Sequence, residues 1–334
     1  MFSKTFSRSF RQSTTGRHVF RRRIASQHTD AADVTLKEHC VQAAPVPPLT
    51  IDIDSPQEFL RHATSSDSIP LHIHRPSSTG KSRAHELLRR LREAEDRIID
   101  VELGRYDDAT AGSFEHISLP LGQYLNWIES DQSNGGKVAG RQLYLAQWRA
   151  SDDIPALAQL IQPPPLLAPL LKDVPVKADL YQTSFFIGPA GAVTPLHYDP
   201  YFNLYHLYAS ANPERHAKHI FLLPPHASEF VKRADGQHAL RNTSSIGLSL
   251  ATSQNGDAFA IMAAPDTPGR SVEAMSTSGF CCILREGETL FIPKGWWHRV
   301  ENVVLGHDQQ PSNSGWTAGI GWWWLPRANP SRIP

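Results

Sequence analysis

The second half of the chain is a series of short apolar runs, most of them bounded by Gly, Pro or Asn. They are Ser184–Ile187, Leu196–Asp199, Asn203–Tyr208, Lys218–Leu223, Phe280–Leu284, Thr289–Ile292, Trp297–Val303 and Thr317–Trp324. All are strand candidates. Many short strands with turn signals between them favour a sandwich or barrel, and the expectation is a mainly β (α+β) fold with a double-stranded β-helix (jelly-roll) core. No internal repeat is visible.

The first half is different in kind. Residues 1–29 carry Lys4, Arg8, Arg11, Arg17 and Arg21 to Arg23, several Ser and Thr, and no acid before Asp30. A mitochondrial transit peptide has that composition, although a disordered basic tail or a weak nuclear signal at Arg21 to Arg23 reads equally simply. Residues 30–48 are polar and then proline-rich, as in a linker. The expected division is therefore a basic tail and linker over 1–48, a folded domain over 49–326 and a C-terminal tail over 327–334.

Within that domain Thr50–Asp54 alternates like a strand, and Ser55-Pro56 opens a helix with a capping residue and Pro at the first position. Ile69–Ile73 is a further short strand. The charged stretch from Lys81 to Arg97 places Leu87, Leu88 and Leu91 on one side, which predicts an amphipathic helix whose charges form a solvated face. Pro120–Ile128 is a short helix, Ser130–Gly140 a loop, and the prolines at 163–165, 169 and 175 break up the chain ahead of the second half.

Formal net charge is zero, so no global field argues for a nucleic-acid platform or an anionic membrane. The cysteines, Cys40 and the adjacent pair Cys281 and Cys282, form no disulfide framework and no zinc pattern, which points to a reducing, intracellular compartment. No run approaches the roughly 18 consecutive apolar residues of a membrane span.

Two motifs carry chemistry. In Thr194-Pro195-Leu196-His197-Tyr198-Asp199-Pro200, the residues His197 and Asp199 are two apart on a strand and can share a face. Far downstream, Gly287-Glu288-Thr289-Leu290-Phe291-Ile292-Pro293 leads to Trp297-His298. Two imidazoles and one carboxylate occupy one face of an octahedral Fe(II) and leave the other positions open. Sixteen histidines make chance pairs common, and a lone H-x-D is usually nothing; the Gly-Glu turn, apolar strand and proline before His298 are what raise this one. His206, His216, His219 and His226 have no partner at ligand spacing and read as structural or exposed. At least one of Trp296 and Trp297 reads as core. If the co-substrate is 2-oxoglutarate, its far carboxylate needs a cation in a dry pocket, and Lys218 is the leading candidate, although a lysine at a strand start more often faces solvent.

Together with Phe186-Ile187-Gly188-Pro189-Ala190-Gly191, these motifs resemble the JmjC (Jumonji C) branch of the Fe(II)/2-oxoglutarate oxygenases. Leu143-Tyr144-Leu145-Ala146-Gln147 with Ile154-Pro155, Val101-Glu102-Leu103-Gly104 and Asn242-Thr243-Ser244 resemble the small JmjC-only protein hydroxylases within it. The resemblance covers roughly residues 50–326. It implies a cupin-like core, His197, Asp199 and His298 as catalytic iron ligands, and Tyr144, Thr194, Asn203, Lys218 and Trp323 around 2-oxoglutarate. It further implies Glu102 and Phe186 at the substrate. Three departures stand out: the turn before Lys218 is several residues longer than in the relatives, the neighbourhood of Glu102 is one residue shorter, and Phe186 replaces a tryptophan.

The implied activity uses Fe(II) as cofactor, consumes 2-oxoglutarate and O₂ and hydroxylates a C–H bond, most simply on a protein or peptide side chain, arginyl or lysyl. Hydroxylation of an N-methyl carbon would appear as demethylation. A small molecule or a modified tRNA base is an alternative substrate, and a non-catalytic cupin-like binding protein is the alternative outside the enzymes.

Overall fold

In the computed structural model the described residues are 39–48, 55–74, 83–104, 114–130, 137–138, 141–172, 178–231, 242–252, 259–306 and 315–327. The basic segment 1–29, the strand expected at Thr50–Asp54, most of the loop expected at Ser130–Gly140 and residues 328–334 lie outside them.

The described chain begins with β1 (Cys40–Val41) and β2 (Ala44–Pro45), a helix at Pro56–Thr64, β3 (Leu71–Ile73) and a helix at Ala84–Arg92. Next come β4 (Ile98–Leu103), β5 (Glu115–Pro120), a helix at Leu121–Ser130, β6 (Lys137–Val138), β7 (Arg141–Trp148) and three short helices ending at Lys172. The second half supplies β8 (Ala178–Pro189), β9 (Val193–Tyr198), β10 (Phe202–Ser210), β11 (His216–Leu223), β12 (Leu248–Thr252) and β13 (Phe259–Ala263). A helix at Gly269–Ser278 then leads into β14 (Phe280–Leu284), β15 (Thr289–Ile292), β16 (Trp297–Val304) and β17 (Trp316–Pro326).

The strands form two large sheets, one ordered β3-β15-β10-β17-β8-β7-β4-β5 with β6 on β7, the other β2-β14-β11-β16-β9, and a small third sheet, β1-β13-β12. From β8 onward the chain passes back and forth between them: β8, β10, β15 and β17 lie in the first, and β9, β11, β14 and β16 in the second. That is the double-stranded β-helix expected from the run of short strands. Within this set every pairing is antiparallel.

Alternation along each strand sorts side chains into three apolar layers. Tyr205 and Leu207 of β10, Ile220 and Leu222 of β11, Leu284, Leu290, Ile292, Trp296 and Val300 pack together in one cluster between the sheets. The intervening residues face outward. Phe202, Leu204, Phe291, Ile320 and Trp322 join the helices Pro56–Thr64, Ala84–Arg92 and Leu121–Ser130. On the second sheet Leu196, Phe221, Leu223 and Trp297 meet β12, β13 and the helix Gly269–Ser278. Both Trp296 and Trp297 are buried. Each such side chain contributes roughly 1.5–3 kcal/mol by leaving water.

The three helices expected in the first half form, although Ser55 makes no side-chain cap; the short helices between Ala150 and Lys172 and the helix Gly269–Ser278 lie outside that expectation. Pro56 opens the first with its fixed backbone angle, and Phe59 and Ala63 bury its inner face. Leu87 and Leu91 bury one side of the helix Ala84–Arg92, while Glu86, Arg89, Arg90 and Glu93 pair with one another in solvent. The stretch expected to be linker differs. β1 pairs with β13 and β2 runs parallel to β14, so ordered pairing begins ahead of Leu49. Pro45 fits because the ladder donors are its neighbours: Ala44 N–H bonds Gly279 and Val46 N–H bonds Cys281, both at 2.9 Å.

Candidate metal centre

His197 and His298 are direct cross-strand partners on β9 and β16, and their rings lie 4.2 Å apart between centroids. Asp199 follows the end of β9 and brings Oδ2 to 3.6 Å from His298 Nε2. One ligand atom from each of the three residues falls within 4.8 Å of the others. Bond lengths of about 2.1 Å place neighbouring ligands of an octahedral ion about 3 Å apart, so the three close on one cation with little movement.

Both imidazoles are held in the tautomer that ligation needs. His197 Nδ1–H donates to Pro195 O at 2.8 Å and His298 Nδ1–H to Trp296 O at 3.0 Å, which leaves each Nε2 lone pair facing the centre. Burial, helped by the nearby His197, lowers the His298 pKa to about 4 and keeps that ring neutral. Burial pushes the Asp199 carboxyl up, but His197, His298 and the Trp323 N–H outweigh it and hold the group below its ordinary range. Trp323 Nε1–H donates to Asp199 Oδ2 at 2.8 Å. An anionic oxygen and two neutral imidazole nitrogens are a suitable donor set for Fe(II).

A β-bulge is essential to this arrangement. Val300 pairs with Thr194 and His298 with His197, so two residues of β9, Pro195 and Leu196, stand opposite the single Arg299. In a regular strand Thr194 and His197, three apart, would face opposite sides; the extra residue turns both toward the inter-sheet space. The edge of β9 is covered by residues 242–244. Tyr198 N–H bonds Asn242 O, Ser244 N–H bonds Leu196 O, and His197 bridges Thr243.

Of the residues expected around 2-oxoglutarate, Thr194, Asn203 and Trp323 line a recess of about 20 Å³ with His197, His298, Phe186, Tyr205, Ile292 and Val300. Asn203 Oδ1 is buried there without a hydrogen-bond partner among the described residues, an orphaned polar atom that suits a polar ligand. A recess that small holds about one water, so a bound dicarboxylate displaces a ring or extends outward. Tyr144 reaches Thr194 Oγ1 through its hydroxyl at 3.4 Å.

Lys218 does not line the recess, but the alternation of β11 points it inward with Ile220 and Leu222, and it is fully buried. Its Nζ lies 5.9 Å from the centroid of the Tyr205 ring. It donates to Asn302 Oδ1 at 2.6 Å, and burial lowers its pKa to about 7. Room for it is made by Gly319, where a Cβ would strike the Tyr205 hydroxyl and approach Lys218 Cε to 2.9 Å.

Glu102 and Phe186 line a second cavity of about 650 Å³ that shares Thr194, His197 and Phe186 with the recess. Phe114, His116, Gln147, Asn242 and Thr243 are also in its wall. Burial raises the Glu102 pKa to about 7. Gln147 stands at a register shift of β7 against β8 with a left-handed backbone, φ 54°, the one such non-glycine residue among those described.

Two further residues at the site, Tyr205 and Asn302, carry no motif that marks them in the sequence. Tyr205 has a usable signal all the same, since it is two residues beyond Asn203 on the same strand face. Asn302 has none, because its relation to Lys218 exists only through strand pairing.

A family model described as a cupin-like domain matches residues 48–329. The chain is 28% identical over 236 residues to Jumonji C domain-containing protein 5 of Drosophila melanogaster, covering 70% of this chain and 48% of that protein. It is 28% identical over 153 residues to a lysine-specific demethylase of Arabidopsis thaliana, covering 46% and 28%. With lysine-specific demethylase 8 of Xenopus tropicalis it shares 26% identity over 229 residues, covering 68% and 41%. The chain thus spans less than half the length of each of these relatives. With a double-stranded β-helix whose inner face gathers two histidines and an aspartate, this chain belongs to the cupin-like domain family, on its JmjC side.

Proposed function

We propose that this protein is an Fe(II)- and 2-oxoglutarate-dependent oxygenase that hydroxylates a C–H bond, with a basic protein side chain as its substrate. The observation that carries the reading is the convergence of His197 Nε2, Asp199 and His298 Nε2, with both Nδ1 atoms committed to backbone carbonyls. When bound, iron and 2-oxoglutarate would supply the oxidative chemistry with O₂ as the oxidant, one oxygen atom going into succinate as carbon dioxide leaves and the other into the substrate.

The residues of the chain position and shield. His197, Asp199 and His298 would hold the ion, and Trp323 keeps the Asp199 carboxylate oriented through its N–H. Lys218 offers an ammonium to the far carboxylate of the co-substrate, with Tyr144, Thr194 and Asn203 completing its hydrogen bonds. The apolar ring of Phe186 and the inter-sheet cluster keep bulk water from the recess. Glu102, half-buried in the wall of the 650 Å³ cavity that His197 also lines, would receive a guanidinium or ammonium group.

The test is iron-dependent conversion of 2-oxoglutarate to succinate by the purified chain, abolished in His197→Ala and Asp199→Ala. Protein that binds neither Fe(II) nor 2-oxoglutarate sinks the oxygenase reading. Two of the relatives are named lysine-specific demethylases, which favours an N-methyl carbon as a second reading. Hydroxylation there leaves an unstable hemiaminal that releases formaldehyde, whereas a stable product is heavier by one oxygen atom. Mass spectrometry over a panel of arginine, lysine and methyl-lysine peptides separates the two.

A further inference from the structure

His72, His74 and Glu288 form a second cluster of metal-ligating side chains, and none of them lines either cavity beside His197. β3 pairs antiparallel with β15, with His72 opposite Leu290. Leu71 and Ile73 pack into the helix-side apolar layer, so His72 and His74, two apart, face the other way.

Glu288 closes the turn between β14 and β15, in which Gly287 adopts φ 90°. Its backbone is fixed at both ends: its N–H bonds Arg285 O at 3.0 Å, and its carbonyl accepts from Leu207 N–H at 3.0 Å. The carboxylate spans the two rings, with Oε2 at 3.1 Å from His72 Nε2 and Oε1 at 2.9 Å from His74 Nδ1. The ring centroids are 3.9 Å apart. Arg285 N–H donates to Oε2 at 2.8 Å and holds the carboxylate in place from behind.

We propose that His72, His74 and Glu288 are a second site for a divalent transition-metal ion, zinc being the type case. Ligands of a four-coordinate ion at bond lengths of about 2.0–2.1 Å are about 3.3 Å apart, so the ion replaces two shared protons with little change of geometry. Two imidazoles, one carboxylate and no thiolate select zinc, nickel or copper over magnesium and calcium. His72 and Glu288 are 8% and 13% exposed in their side chains while His74 is 59% exposed, so an ion reaches the site past His74 and completes its shell with water. Bound there, it ties the edge strand β3 to the β14–β15 turn.

The test is zinc content after equilibrium dialysis, in the full chain carrying His197→Ala and Asp199→Ala so that the other centre is silent. The expected result is one equivalent of zinc, lost on adding His74→Ala, whose exposed ring lies outside the apolar clusters and touches the ring of His72, and lost again with Glu288→Gln. Cobalt in the same background should give the visible bands of a four-coordinate nitrogen and oxygen site, absent after His74→Ala. No zinc in the background variant, or zinc that survives His74→Ala, overturns the proposal and leaves the trio a hydrogen-bonded cluster. The proposal is independent of the oxygenase reading: if that reading fails, the wild-type chain still holds one equivalent, and His74→Ala still removes it.

Discussion

Lys218 Nζ donates to Asn302 Oδ1 at 2.6 Å across the paired strands β11 and β16. Asn302 gives both of its amide hydrogens away, to Gly188 O and Pro189 O at 2.9 Å each, so its oxygen has no choice but to face the lysine. A neutral acceptor in a dry interior does little to stabilise an ammonium. Burial therefore lowers the lysine pKa to about 7, and the charge becomes firm only when an anion arrives.

Binding of 2-oxoglutarate should then take up a proton above neutrality. The sign follows from a depressed lysine pKa: above about 7 the free protein has lost the proton that the complex requires, so affinity falls by up to about tenfold per pH unit between roughly pH 7 and 9. Over the same range the unfolded chain still holds its proton, and the ligand-free fold gains stability as pH rises. Calorimetry at about pH 8 in two buffers of different ionisation enthalpy should show uptake approaching one proton; none, with a flat affinity, refutes the assignment. Lys218→Met should weaken 2-oxoglutarate binding by about 10–100-fold, the worth of a charge-assisted hydrogen bond, and leave iron affinity unchanged.

Glu102 should reveal itself in stability. Its carboxyl is raised to about 7 by burial, so the folded state holds a proton that the unfolded chain releases near its ordinary value of 4.5. Stability contributed by the neutral form is present at low pH and lost as pH rises from about 4.5 to 7. Glu102→Gln should remove that slope and be more stable than wild type at about pH 8 by about 2–3 kcal/mol. Denaturant titrations at about pH 5 and pH 8 decide it; parallel behaviour of the two proteins would show that the carboxylate is ionised throughout.

Trp323→Phe deletes the N–H that holds Asp199 Oδ2 and keeps most of the ring. Iron affinity should fall by about 10–100-fold, the usual cost of losing such an outer hydrogen bond, with little change in melting temperature. An unaltered iron dissociation constant would limit Trp323 to lining the recess.

Gly319→Ala should damage the co-substrate region without touching a ligand. The added Cβ would strike the Tyr205 hydroxyl and sit 2.9 Å from Lys218 Cε, in an interior with no slack. Overpacking of this kind costs about 1–3 kcal/mol. Weaker 2-oxoglutarate binding with retained iron binding is the expected pattern, read by titration of the two separately.

The apolar runs of the second half are legible because most are bounded by residues that stop strands. His197, Asp199 and His298 are legible because a two-residue spacing reads directly as a shared face and a Gly-Glu turn announces the strand ahead of the second histidine. Pairing between distant segments supplies the features that local pattern cannot show. β5 carries charged and polar residues, buries no side chain and sits at the end of the first sheet, so its pattern is weak. β2 contains a proline and forms only because a parallel neighbour takes its bonds from either side. The bulge at Pro195 and Leu196, which turns Thr194 inward, depends on the register of β16. His72 and His74 lie 216 and 214 positions from Glu288, and a histidine pair on a short strand carries no signal until the turn that meets it is known.

His298 lies on a strand hydrogen-bonded along both edges, to β11 on one side and β9 on the other. Its place is therefore fixed by the ladder, and the fold need not wait for a cation to assemble it, unlike small domains that collapse only around their metal. Under the proposed reading, loading and loss of iron would be exchange reactions at a standing scaffold, and a wrongly metallated molecule would be stripped and refilled without passing through an unfolded chain.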